Sequence, residues 1–172
     1  MAKFDMSVVG ITAGNQRLRV AASATRTYFG EPLKLTPTYT TGTSGTNTVS
    51  QCADNEPTIG TDEFKGICQK DFETTSATDA TIIAHYTLSA LFIPYATKVR
   101  GKAETKANID TQTELTGVLF DLTRFHLASS SYRIQAGGEA DTGGLQIVDG
   151  NTVRGTLDCV VDARAMRSDV TA

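Results

Sequence analysis

Apolar and polar positions along this chain change over in short steps of two rather than at helical spacing, the pattern of half-buried strands. Phe64, Gly66 and Cys68 alternate with Lys65, Ile67 and Gln69. That predicts a short strand whose glycine lets a neighbouring backbone come close. Residues 81–95, TIIAHYTLSALFIPY, are β-branched and aromatic and predict one or two strands, with Pro94 closing the run. In residues 97–105, Lys98, Arg100, Lys102 and Glu104 alternate with Thr97, Val99, Gly101 and Ala103. This is a strand with one charged face, read as a solvated face or as a sheet edge that its lysines protect. Residues 117–125, GVLFDLTRF, predict a central strand, and residues 132–135 another.

Towards the C-terminus, residues 145–148 run into Asp149-Gly150, and a second alternating run extends over residues 156–164. Asp-Gly between two such runs predicts a hairpin turning at that pair. In the second run Leu157, Cys159, Val161 and Ala163 share a face, while Asp158, Val160 and Asp162 are expected towards water or a neighbour. Residues 40–48, 109–115 and 137–144 read as polar connections, the second capped by Asp110. About seven to nine short strands at roughly 8–12-residue intervals give an all-β fold, a compact β-barrel or β-sandwich. That body is expected over residues 51–167, with a polar tail over 168–172.

Residues 1–50 differ in character. Short apolar pieces at 8–11 and 18–22 are separated by Gly, Asn and Thr, and Pro37 interrupts the alternation of Leu33 and Leu35. The segment is expected to be an extended Thr/Gly-rich N-terminal arm, ordered by its own core or by a neighbouring subunit. Arg17, Arg19 and Arg26 give it a positive bias, either a solvated surface or a contact to an acidic partner face.

Composition supports β structure: charged residues are only 20% of the 172, and the difference goes to Thr, Ser, Gly and Asn. Threonine suits a pleated, half-buried surface. A net charge of -3 argues against a nucleic-acid binder. No apolar run is long enough to span a membrane, and the first residues lack an export signal, so folding in a cytosol is expected.

Candidate chemistry is sparse. The three cysteines, Cys52, Cys68 and Cys159, are too widely spaced for a zinc ribbon and read as small buried hydrophobes, with a Cys52–Cys68 bridge the alternative. His85, inside an apolar run, reads as a core or edge residue. Asp110 and Glu114 have no nucleophile beside them in sequence, and Ser130 lacks the elbow of a hydrolase. Glu139 and Asp141 are too few for calcium. No enzyme activity, metal or cofactor is expected.

The order of four segments resembles the decoration, or cement, proteins of tailed-bacteriophage capsids: FKGICQKDF at 64–72, IPYATKVRGKAET at 93–105, DTQTELTGVLFDL at 110–122 and GGLQIVDGNTVRGTLDCVVDARAMR at 143–167. The resemblance implies a short β-barrel that binds the outside of an assembled icosahedral shell, commonly as a homotrimer. Its partners would be the major capsid protein and its own copies, without cofactor, nucleic acid or membrane. The protein would be made in the host cytoplasm and reside on the virion exterior. Candidate capsid or subunit contacts are Arg17, Arg19, Arg26 and Tyr39 in the arm, then Lys98, Arg100 and Lys102 on the charged strand. Truncating residues 2–48 would, on this reading, leave a folded barrel. The alternatives are a tail-tube or fibre protein, and a carbohydrate-binding or hydrolytic β-sandwich. The second is disfavoured by the absence of Trp and an aromatic share of 7%.

Overall fold

The computed structural model describes residues 6–10, 15–20, 26–27, 30–36, 48–61, 63–68, 72–73, 80–85, 97–129, 131–136 and 142–166. The strands are β1 (Met6–Gly10), β2 (Asn15–Val20), β3 (Arg26–Thr27), β4 (Pro32–Thr36), β5 (Thr48–Gln51), β6 (Phe64–Cys68) and β7 (Phe72–Glu73). They continue with β8 (Ala80–His85), β9 (Thr97–Lys102), β10 (Leu122–Thr123), β11 (Phe125–Ala128), β12 (Ser131–Ile134), β13 (Leu145–Asn151) and β14 (Thr156–Val161). Among the described residues one short α-helix, α1 (Gln112–Val118), and two 3-10 turns, Lys106–Asn108 and Ala163–Met166, interrupt or follow them. The all-β expectation holds.

Two assemblies make up the body. An open antiparallel sheet runs in the order β1–β9–β14–β13–β10. Beside it β2, β5, β4, β6 and β8 pair in a ring, with β2 and β5 parallel and the other pairs antiparallel. Small pairs β3–β7 and β11–β12 complete the sheets.

The N-terminal segment departs from its expected role. Over its described residues it is not an arm apart from the body. β1 forms an edge of the open sheet against β9, with Met6 opposite Gly101. β2, β4 and β5 supply three strands of the ring. Met6, Leu33 and Val49 are buried, so β1, β4 and β5 each place a side chain in the interior. Removing residues 2–48 would therefore strip strands from both assemblies instead of releasing a folded barrel. The predicted loop at 40–48 lies mostly outside the described residues, and its last residue, Thr48, opens β5.

Residues 109–125 also differ from the predicted connection and central strand. Thr111 and Glu114 form a reciprocal capping box: the threonine hydroxyl accepts from Glu114 N–H, and the Glu114 carboxylate accepts from Thr111 N–H at 2.9 Å. That cap starts a helix, which buries Leu115 and Val118, three residues apart on one face. The chain then turns through Leu119 and Phe120 into the two-residue strand β10.

The C-terminal hairpin is present, but its turn lies later than predicted. Asp149 and Gly150 belong to β13, beyond a register shift between Ile147 and Asp149. Asn151 makes the turn instead. Its side-chain oxygen accepts from Arg154 N–H at 2.8 Å, and its carbonyl accepts from Gly155 N–H at 2.8 Å, with Gly155 at a φ of 64°. The Asp-Gly pair looked like a turn, but Gly150 serves packing: a Cβ there would stand 2.7 Å from Leu115 Cδ1.

A single buried cluster joins the two assemblies, with Phe64 and Ile67 from the ring meeting Val99, Ile147, Leu157 and Cys159 from the open sheet. Phe125 sits between Phe64, 6.0 Å away, and Tyr132, 6.3 Å away. Residues 52–59 run along the junction as a seam. Asn55 N–H donates to Phe125 O at 2.9 Å and Phe125 N–H to Glu56 O at 2.7 Å. Ile59 N–H donates to Thr142 O, and Gly144 N–H to Pro57 O, both at 2.8 Å. The Tyr132 hydroxyl closes the seam by donating to Cys52 O.

Candidate interaction surface

The charged strand is the best-defined candidate site. On β9, Val99 and Gly101 point into the core, so Lys98, Arg100 and Lys102 fall on the opposite face. β9 is not an edge strand, because it lies between β1 and β14. Its charges therefore do not guard an open edge; they lie across the neighbouring strands.

Arg100 stands opposite Asp158 of β14, which stands opposite Asp149 of β13. The guanidinium grips Asp158 with two parallel bonds, Nε to Oδ1 at 2.6 Å and Nη2 to Oδ2 at 2.7 Å. Such a fork is the strongest geometry open to an arginine–carboxylate pair. Asp158 is only 3% exposed, although it occupies a position expected to face water. The hydrogen bond to Asp158 holds the Arg100 guanidinium above its ordinary pKa, against the opposing effect of burial and with help from the charges of Asp158 and Asp149. Lys98 Nζ lies 3.5 Å from Asp149 Oδ2. Two of the three cations are thus matched by acids of the same face. Lys102, opposite Thr156, is exposed and has no ion-pair partner among the described residues.

The remaining candidates lie elsewhere. Arg17 and Arg19 are on β2, opposite Ile83 and Thr81 of β8, and Arg26 on β3 is opposite Glu73. Tyr39 lies outside the described residues. Strand pairing thus distributes the predicted contacts over the open sheet, the ring and the β3–β7 pair, and does not gather them at one place.

Sequence reasoning missed a second polar cluster at the seam. His126 Nδ1 lies 3.0 Å from Asp54 Oδ1, and Nε2 lies 3.5 Å from Glu104 Oε1. The same Asp54 oxygen accepts from Leu127 N–H at 2.9 Å. The residues come from three distant parts of the chain, so no local motif announces them. Both ring nitrogens are taken up by contacts that tie β11 to the seam and to the end of β9.

Other residues with potential chemistry occupy structural positions. The three cysteines are free and buried, so the Cys52–Cys68 bridge is not formed. Burial, followed by the charge of Asp158, pushes the Cys159 thiol far above its ordinary range, which leaves it without thiolate character. Asp110 and Glu114 share a hydrogen bond at the start of α1. It raises the Asp110 pKa, while the Thr111 side chain, more than Asp110, lowers that of Glu114. Among the described residues no group of three or more His, Cys, Asp or Glu side chains is placed to hold a metal ion, and no helix is long and apolar enough to cross a membrane.

No family model, curated protein or solved structure matches this chain.

The Arg100–Asp158 pair makes a clear prediction. Arg100→Ala should destabilise the fold by about 2 kcal/mol, because it leaves a buried carboxylate without its charged donor. Adding Asp158→Asn should recover part of that loss, since the stranded charge is then gone. Urea unfolding of both single variants and the double variant measures the coupling. Additive losses would show that the pair contributes nothing beyond its separate side chains.

Proposed function

We propose that this chain is a virion structural protein of the decoration class, which binds the outside of an assembled capsid and strengthens contacts between capsomers. The observation that carries the reading is where the resembling segments fall in the fold. Residues 64–68 form β6, residues 97–102 form β9, and the late segment forms the β13–β14 hairpin. β9 pairs with β14 and is joined to β6 through one core. Three of the four segments that suggested the family thus contribute strands to one connected scaffold, while the fourth, residues 110–122, is mostly helix α1.

The partners on this reading are the major capsid protein and further copies of the chain, in a homotrimer on the particle exterior. No catalysis or cofactor is involved. Lys102 is the charged-strand residue best placed to meet an acidic partner, because Lys98 and Arg100 are already matched by Asp149 and Asp158. Arg17, Arg19, Arg26 and Tyr39 remain candidate contacts. Many copies engaging one shell make modest single contacts sufficient.

The test is co-sedimentation of the purified protein with preassembled, expanded capsids, followed by thermal melting of the particles. Saturable binding and a higher capsid melting temperature are expected. A protein that neither sediments with capsids nor shifts their melting is not a decoration protein. Rings or tubes of the isolated protein in electron micrographs would point to a tail component instead.

A further inference from the structure

His126 stands with an acid at each ring nitrogen. Nδ1 lies 3.0 Å from Asp54 Oδ1, and Nε2 lies 3.5 Å from Glu104 Oε1. Ionised carboxylates only accept hydrogen bonds, whereas a neutral imidazole donates from one nitrogen and offers a lone pair on the other. A neutral ring that donates to Asp54 therefore turns its Nε2 lone pair toward the Glu104 oxygen. The other tautomer does the reverse at Asp54. Only the imidazolium meets both acids with N–H groups.

Both acids are held where they stand. Asp54 Oδ1 also accepts from Leu127 N–H at 2.9 Å, and Oδ2 accepts from Asn55 Nδ2 at 3.0 Å. Glu104 is fixed through its backbone, its N–H donating to Ile134 O at 2.8 Å. Two cations complete the neighbourhood. Arg133 of β12 stands opposite His126, on the same face of the pair, so its charge opposes a second cation there. Arg124, two residues before the histidine, donates to the Thr142 hydroxyl. Asp54 and Glu104 outnumber Arg133 in charge, and a proton on His126 brings these four residues to neutrality.

We infer that His126 is a proton-operated clasp: once protonated, it ties the seam to the end of β9 and so strengthens the junction of the two assemblies. The three residues in contact suit that role. Asp54 belongs to the seam, His126 to β11, and Glu104 follows β9 of the open sheet. Only the folded chain offers both carboxylates. The added stabilisation is therefore full below about pH 6.5, the ordinary histidine midpoint, and is lost as the ring gives up its proton at higher pH. The His126 side chain is 26% exposed, so the effect is that of a partly screened pair.

The test uses the full chain. Wild type and His126→Gln are melted at about pH 5.5 and about pH 8, on either side of that midpoint. Glutamine keeps a donor and an acceptor but does not titrate. The gap in melting temperature between the two proteins should be about 2–4 °C wider at the lower pH. Taking the difference removes groups common to both proteins, the other histidine, His85, included. The comparison is then repeated with Glu104→Gln in both proteins. The side-chain amide introduced there can donate to a neutral Nε2, so the widening should fall by at least about half. Glu104→Gln alone reads the same coupling from the other side, and wild type should gain on it at the lower pH. A gap equal at both pH values, or wider at the higher one, would overturn the clasp. A widening that Glu104→Gln leaves undiminished would also overturn it, because a single carboxylate would then account for the whole effect.

Discussion

Phe125→Ala is expected to destabilise the protein by about 4 kcal/mol, near the upper end for a buried aromatic truncated to alanine. Phe125 is fully buried and packs between the rings of Phe64 and Tyr132. The three rings come from the ring assembly, β11 and β12, so the cavity would open where the assemblies join. The seam resists collapse, because Phe125 N–H and C=O are both bonded to residues 55–56. A cavity that cannot close costs more than the transferred area alone. Urea unfolding should show a lower midpoint with an unchanged slope. Phe125→Leu, which retains most of the volume, should lose clearly less. A loss under about 1 kcal/mol for alanine would mean that the seam relaxes around the gap.

Gly143→Ala should cost about 3 kcal/mol through overpacking, the second largest effect expected. A Cβ at Gly143 would lie 2.6 Å from both N and O of Thr123. These are backbone atoms of β10, and they cannot swing aside as the end of a side chain can. The same change at Gly117 should have the opposite sign. That glycine lies within α1, with open space where a Cβ would go, so alanine should add roughly 0.5–1 kcal/mol of helix stability. Thermal melting of the two variants side by side tests the pair. A tolerated alanine at 143 would show that β10 can shift away from the open sheet.

What the sequence revealed follows the range of the forces involved. Ser131–Ile134 was legible because alternation is a local signal and the strand has one face in the core; Phe64–Cys68 was legible as a strand, although Ile67, on the face opposite Phe64, is buried as well. The hairpin was legible as a pair of runs, whereas its turn was not: Asp149-Gly150 and Asn151-Thr152-Val153-Arg154-Gly155 both carry turn chemistry, and packing of Leu115 on Gly150 decides between them. Helix α1 could have been read from Thr111 and Glu114, a capping-box spacing ahead of Leu115; the strand-like alternation of Val118, Phe120 and Leu122 obscured it. The arm was misread because β1 and β2 find antiparallel partners far along the chain, in β9 and β8. The charged face was legible as a pattern, but its neutralisation was not, since Asp149 and Asp158 reach Lys98 and Arg100 only through the order of strands in the sheet.

The pairing of Met6 with Gly101 also bears on how the molecule is made. On a ribosome, β1 is synthesised well before the strand it pairs with, which follows only after the ring strands between them. The open sheet can acquire its β1 edge only after β9 has emerged. Completing that edge requires closure of one long loop, beyond the local hairpins β11–β12 and β13–β14, the kind of non-local pairing by which topology slows the rate.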